Sequence, residues 1–382
     1  MITHTNLAHN ETLISREIKS TATTVNISWL PQYHDMGLIG SYLGVVYCGG
    51  TGYYLSPISY LKDPLIWLRT ISRYGGTHSQ APNFAFALCT RKFNEIRSSA
   101  ESVMGSSFSL HTIQHCINAA EPIDYKTVQS FIECFRKYGM TKPSVIVPTY
   151  GLAEHTVFVC SGGSQRVWVD KAALEKGLVE ISRCVNADDE LPPVPDTTAP
   201  SDATTSSATH VVDKDMMCIV GCGYPTRGEG VDLVIANSDT GGLCADNEVG
   251  EIWVNSPSKA AGYFGLEELT GKDFHATLTG DVSSSQYDRS TGFLRTGDLG
   301  FMYKSEVFIC GRQKDLIIVR GSNHYPQDIE KTAEKAIANI VRPGCSAAFS
   351  VKHDDQPDTE LVVYVAEVSI MLNRLFIITN QL

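Results

Sequence analysis

The stretch Thr149-Tyr150-Gly151-Leu152-Ala153-Glu154 puts an aromatic ring and a carboxylate together just after the apolar run Val145-Ile146-Val147. Such a run reads as a buried parallel strand, and Gly151 reads as the turn that follows it. Ligands of open α/β sheets bind beyond the carboxyl ends of strands. A tyrosine there suits stacking on a base, and a glutamate suits holding the Mg²⁺ of a nucleotide triphosphate. Taken alone the hexapeptide is an ordinary loop, with a packed ring and a solvated acid.

Four other motifs surround it in order. Trp29–Leu38 carries the His34-Asp35 pair, which in isolation reads as a structural hydrogen bond. Asn118-Ala119-Ala120-Glu121-Pro122-Ile123 is a small-residue loop after a strand, of the kind that lets a flat ligand approach the backbone. Leu294-Arg295-Thr296-Gly297-Asp298 sets an acid in a glycine-bearing turn, where it suits chelation of ribose hydroxyls or a plain Asx-turn. Gly311–Gly321 carries Arg312 and Lys314 between two strand-like runs and leads into Asn323-His324-Tyr325-Pro326.

The elements that position these motifs alternate. Asp63 as N-cap and Pro64 at the first helical position open a helix that Gly75 stops. Asp124 opens a second, with Val128, Phe131, Ile132 and Phe135 on one face and Gly139 at its end. Pro326 opens a third, with Ile329, Ala333, Ala336, Ile337 and Ile340 expected to face inward. Strand-like runs at Val25–Leu30 and Ile113–Ile117 lie between them, so the first half reads as parallel α/β layers. After about residue 185 the texture changes. Residues 186–210 are rich in Pro, Thr, Ser and Asp and read as a disordered surface loop. Runs at Cys218–Val220, Val231–Ala236, Glu251–Val254, Phe308–Cys310 and Leu316–Val319 read as an antiparallel sheet or small barrel.

The chain of 382 residues is 43% hydrophobic, which is globular and long enough for one large core plus a smaller domain. A net charge of −11 without a basic stripe argues against a nucleic-acid binder. Eleven scattered cysteines without a Cys-x-x-Cys pair suit a reducing compartment, and the expected localisation is cytoplasmic. The apolar run Leu38–Cys48 is too short to span a bilayer.

Together and in this order the motifs resemble the adenylate-forming superfamily of acyl-CoA synthetases, luciferases and peptide-synthetase adenylation domains. Within it the chain looks most like the fatty acyl-AMP ligases, on Trp29–Leu38, Ala81-Pro82-Asn83-Phe84-Ala85-Phe86, Asn118–Ile123, Tyr150–Glu154 and Gly321–Asp328. The resemblance implies an α/β large domain of mostly parallel sheets over residues 1–312 with a small β-barrel-like part. A hinge and an incomplete α+β small domain would follow over 313–382. It implies ATP and Mg²⁺, a fatty acid substrate, and an acyl carrier protein or CoA as acceptor. By motif, Tyr150 stacks on adenine, Asn118, Ala119, Ala120, Glu121 and Pro122 with Gly151 line the nucleotide side, and Glu154 holds Mg²⁺. Asp298 binds the ribose hydroxyls with Arg312 nearby, Lys314 falls at the hinge, and His34 falls near the acyl and phosphate groups. Met36, Phe84 and Phe86 would border the acyl tunnel.

The family's phosphate-cradling loop would come just before the stretch matching Met1–Leu7, and its adenylation lysine would come beyond Val368. The expectation from sequence is therefore a fragment with little activity alone. Two other readings stay open: a long-chain acyl-CoA synthetase, and a non-catalytic acyl- or nucleotide-binding relic.

Overall fold

The computed structural model describes residues 1–189, 215–280, 291–319, 322–338, 340–353, 356–368 and 376–380. Most of the segment expected to be a disordered loop lies outside them, as do Arg320-Gly321 and the stretch 369–375.

The first sheet uses β1 (Val25–Ser28), β2 (Thr51–Tyr54), β3 (His78–Ala81), β4 (His115–Asn118), β5 (Ile146–Tyr150) and β6 (Cys160–Ser161). Their order is β2-β1-β3-β4-β5-β6. The first five run parallel, and only β6 is antiparallel to its neighbour. Parallel neighbours need crossovers, and helices supply them. The helix Tyr125–Phe135 starts where Asp124 accepts a 3.2 Å bond from the Thr127 amide, and its extension stops at Gly139 with φ +110°. The helix Leu65–Tyr74 begins one residue later than expected, with Pro64 as its cap and Gly75 as its left-handed stop. Asp63 does not cap it, because its carboxylate is drawn to the Arg69 guanidinium. Inward-facing rings knit these helices together: Trp67 meets Phe86 at 5.6 Å between centroids, and Phe86 meets Phe131 at 5.2 Å. Each such ring, fully removed from water, contributes roughly 1.5–3 kcal/mol.

Everything after β6 pairs antiparallel. β7 (Gln165–Asp170), β8 (Ile181–Asn186) and β9 (Met216–Val220) form one sheet in the order β8-β7-β9. β10 (Asp232–Ala236), β11 (Gly250–Asn255), β12 (Leu294–Tyr303) and β13 (Glu306–Arg312) form a second in chain order. A hairpin of β14 (Ile317–Val319) and β15 (Ser322–His324) leads to a third sheet of β16 (Val341–His353), β17 (Gln356–Val368) and β18 (Phe376–Asn380). The barrel-like part is thus a set of open sheets, and none closes among the described residues.

On the third sheet lies the helix Pro326–Ala336, which packs Ile329, Ala333 and Ile337 over Ile317, Val341 and Tyr364. Ala336 and Ile340, expected inside, are exposed. The seam follows every fourth residue, 329, 333 and 337, so Ala336 turns off it, and Ile340 lies beyond the helix end. No helix among the described residues is long and apolar enough to cross a membrane.

The first helix, His4–Glu17, opens with a capping box between Thr3 and Asn6. Its inner face carries an acid: Glu11 is 4% exposed, and neither carboxylate oxygen has a hydrogen-bond partner among the described residues. Burial pushes this carboxyl from 4.5 up to about 8. Between those values the folded chain holds a proton that the unfolded chain has lost, so stability is full below 4.5 and falls as pH rises toward 8. The loss is up to about 1.4 kcal/mol per pH unit in that window. Glu11→Gln is expected to flatten this slope in urea melts across the window; an unchanged slope would show that the carboxyl titrates normally.

Candidate active site

A cleft of about 260 Å³ opens at the carboxyl ends of β3, β4 and β5. Gln80, Ile117, Ala119 and Ala120 supply one wall, and Thr149 with Gly151–Glu154 supplies the next. His34, Asp35, Met36 and Gly40 close it on one side with Ile14 of the first helix, and Arg312 reaches in from the end of β13. The fold therefore brings together His34, Met36, Ala119, Ala120, Gly151, Glu154 and Arg312, which are far apart in sequence.

The Glu154 loop is held from three sides. A Cβ on Gly151 would collide with the Val157 carbonyl, so glycine is needed for the close approach. Asn10 of the first helix donates to the Phe158 carbonyl at 2.8 Å and accepts from the Phe158 amide at 3.1 Å. His155, fully buried, bonds the Phe158 carbonyl through Nδ1 at 2.7 Å and the Ser256 hydroxyl through Nε2 at 2.6 Å. Burial lowers its pKa to about 4, which keeps the ring neutral for both bonds. The Glu154 carboxylate itself accepts from the Tyr263 hydroxyl at 3.0 Å.

On the other side of the cleft the Thr-Gly-Asp motif is part of a strand instead of a free turn. Its register with β11 slips between Glu251 and Trp253, and Gly297 takes φ +70°. This bulge is pinned by Glu251, which is 2% exposed. One oxygen accepts from the Gly297 amide at 3.1 Å, and the other accepts from Arg295 at 2.7 Å and from the Trp253 indole at 2.9 Å. Nothing in the sequence pattern singled out Glu251; an acid opening the apolar run Glu251–Val254 was the available sign. Beyond the bulge Asp298 stands opposite Arg312 in the β12–β13 ladder. Its carboxylate accepts from the Tyr150 hydroxyl at 2.7 Å and from Arg312 Nε at 3.1 Å. Burial pushes the Asp298 carboxyl up, while the Tyr150 hydroxyl and Arg312 pull it down. Tyr150 is pushed up by burial and by the Asp298 charge, so it remains a hydrogen-bond donor.

The remaining sites are more scattered. Asn118 ends β4 fully buried, donating to Asn83 at 3.2 Å, and its Oδ1 has no partner among the described residues. Ala120 takes φ +71°, a left-handed backbone that alanine adopts at a cost. Glu121 and Pro122 are exposed, and Glu121 accepts from the Phe84 amide. His34 caps the short turn before Met36 and pairs with Asp35 at 2.7 Å. Phe84 is 41% exposed and lies edge-on to Trp29, whereas Phe86 sits in the core between Trp67 and Phe131 and does not line the cleft. Lys314 is exposed in the turn between β13 and β14, also off the cleft.

No group of three metal-ligating side chains occurs among the described residues. Glu154 at the cleft still fits Mg²⁺, which is commonly held by one or two carboxylates together with substrate phosphates instead of by a full protein cage.

The model of the AMP-binding enzyme family matches residues 1–264. The chain is 36% identical to the medium-chain-fatty-acid–acyl-carrier-protein ligase JamA of Moorena producens, over 96% of this chain and 55% of that protein. It is 32% identical to the long-chain-fatty-acid–AMP ligase FadD32 of Mycolicibacterium smegmatis, over 94% of this chain and 52% of the relative. A crystal structure of the fatty acyl-adenylate ligase from L. pneumophila with acyl adenylate and pyrophosphate superposes with a TM-score of 0.68 at 30% identity, covering 98% of this chain and 58% of that one. The chain thus spans about half the length of the curated relatives it matches.

Glu251→Gln is expected to destabilise the fold by about 3 kcal/mol, because it removes the charge that pairs with Arg295 at a nearly closed site. Tyr150→Phe should cost about 1 kcal/mol, one hydrogen bond with the packing kept. Urea melts of both variants check the ranking, and a Glu251→Gln protein as stable as the parent would show that the bulge has another anchor.

Proposed function

The chain belongs to the AMP-binding enzyme family, and from that premise we propose that it takes part in activating a fatty acid as its acyl-adenylate. In this reading a carboxylate oxygen attacks the α-phosphorus of ATP. The bond from that phosphorus to the bridging oxygen breaks, and pyrophosphate leaves with the electron pair. The sulfur of a thiol, the phosphopantetheine arm of an acyl carrier protein in preference to CoA, then attacks the acyl carbonyl. The bond from that carbon to the phosphate oxygen breaks, and AMP leaves with the electron pair as the thioester forms. The relative named as an acyl-carrier-protein ligase supports that acceptor.

The observation that carries the proposal is that Glu154, Arg312 and the Ala119-Ala120 backbone line one cleft at the carboxyl ends of parallel strands. Adenylyl transfer asks mainly for positioning and charge stabilisation, which these groups suit. Asn118–Pro122 and Gly151 border the adenine, with the Tyr150 ring beside it, and Asp298 takes the ribose hydroxyls. Arg312, bonded to Asp298, sits near ribose and phosphate. Mg²⁺, held by Glu154, would offset charge on the phosphates. His34 and Met36 lie on the acyl and phosphate side, with Phe84 at its rim. Phe86 then acts behind the cleft wall as packing. An exposed Lys314 at the end of β13 suits a hinge, with the large domain over 1–312 and the small domain from 313. The setting is cytoplasmic.

A non-hydrolysable acyl-sulfamoyl-adenosine titrated into the chain by calorimetry is expected to bind, with Arg312→Ala weakening it roughly tenfold or more, the value of a hydrogen bond to a charged group. Glu154→Gln should leave that metal-free binding nearly unchanged. Wild-type affinity no better than for the free fatty acid would overturn the reading.

A further inference from the structure

A second cavity, of about 440 Å³, lies against the other face of β5. Ile146 and Pro148 of that strand line it, whereas Thr149 lines the cleft. Successive strand residues point to opposite faces, so β5 separates the two volumes, and no residue lines both. The helix Tyr125–Phe135 supplies Val128 and Ile132 as the facing wall, and β7 supplies Arg166. The volume is that of a small-ligand pocket, for which about 300–1,000 Å³ is usual. Nothing in the acyl-adenylate reading uses it.

Five charges at this cavity are exposed: Arg136 and Lys142 against Glu133, Asp188 and Asp189. They are solvated and nearly cancel. Arg166 differs from them, being only 7% exposed. Its Nη2 donates to the carbonyls of Asn186, Ala187 and Asp189 at 2.7, 3.0 and 3.4 Å. Its Nε has no hydrogen-bond partner, and no carboxylate pairs with the guanidinium among the described residues. Carbonyl dipoles orient a guanidinium but bring no negative charge. A buried charge is ordinarily paired, because desolvation is costly. Burial already pulls Arg166 below the ordinary arginine pKa.

An inorganic anion would pair with Arg166 and leave Val128, Ile132, Ile146 and Pro148 against water. A neutral apolar molecule would cover those walls and leave the cation unpaired. An anionic head on an apolar tail meets both demands. We propose that this cavity binds such an amphiphile, a carboxylate on an unbranched apolar chain, with its head on Arg166 and its tail along Val128, Ile132, Ile146 and Pro148. The site is separate from the cleft and stands or falls independently of the acyl-adenylate reading.

The test is photolabelling of the whole chain with decanoate carrying a diazirine on its tail, mapped by peptide mass spectrometry. Label is expected within residues 123–148, which include none of the cleft lining. Unlabelled decanoate should displace it roughly tenfold or more better than decanol, the scale of one hydrogen bond to a charged group. Inorganic phosphate should not displace it. Arg166→Met should bring decanoate and decanol level. Because Arg166 also holds the backbone at 186–189, that variant can lose its fold for a different reason. Val128→Trp, at a half-buried helix position, instead fills the volume and should remove the label from a chain that still gives a folded baseline in urea melts. No label within 123–148, decanol competing as well as decanoate, or full labelling of folded Val128→Trp overturns the proposal. Label confined to the cleft walls at 34–36 or 151–154 overturns it too and leaves the acyl-adenylate reading in place.

Discussion

Glu251 is the interaction on which the site geometry depends. An acid buried near the start of β11 would be a liability, but three side-chain and backbone donors converge on it. Those donors fix where β12 slips register, and the slip decides which way Asp298 points. With a regular ladder at Thr296-Gly297, every later side chain on β12 would change face. Asp298 would then lose both Arg312 beside it and Tyr150 across the gap. Carboxylate chemistry at the site is therefore set by a carboxylate that never reaches it.

From Asp298 the constraint passes to the parallel sheet. The 2.7 Å bond from Tyr150 is a direct polar link between the carboxyl end of β5 and the antiparallel sheet. It spans 148 residues of sequence, so the contacts of both sheets must offset the loop entropy of closing it. The Glu154 loop is tied down from the opposite direction by Asn10, and its backbone also takes the Ala260 amide at 2.9 Å. Both walls of the cleft thus hang on hydrogen bonds between distant segments, while the apolar core beneath them supplies most of the stability. This division suits a chain with a net charge of −11. Positive charge at the cleft therefore has to be local, and Arg312 supplies it.

The parallel half was legible because its signals are local. Asp124 and Gly139 bound a helix by capping alone, and apolar runs marked β4 and β5. Antiparallel pairing after residue 185 was legible from strand texture, whereas its division into separate open sheets was not, since closure depends on long-range register. Seven of the site residues expected from motif order line the cleft. Motif order missed Asn10, His155 and Tyr263, whose partners lie more than 100 residues away, and Glu251, whose Arg295 and Gly297 partners lie more than 40 away. It also put Phe86 at the acyl tunnel. Phe84 and Phe86 lie two apart on one helix, so they point to different sides, and only one can face the rim.

Backbone strain marks the same place that the side chains do. Few non-glycine residues take positive φ here, yet Ala120 does so at +71° and Thr156 at +69°. One follows β4, the other follows Glu154, so each cleft wall carries one. A β-branched residue in that region is disfavoured enough that its surroundings must over-determine it. They do: the Thr156 hydroxyl donates to the Ser258 carbonyl at 2.7 Å, and His155 beside it is locked through both ring nitrogens. At Ala120 the support is Asn118, buried and bonded to Asn83, which also accepts from the Asp124 amide at 3.2 Å. Relaxing either loop would move Ala119–Ala120 or Glu154 out of the cleft wall. The strain is retained because the hydrogen bonds behind it are cheaper to keep than to break, and that fixes both walls of the cleft in place.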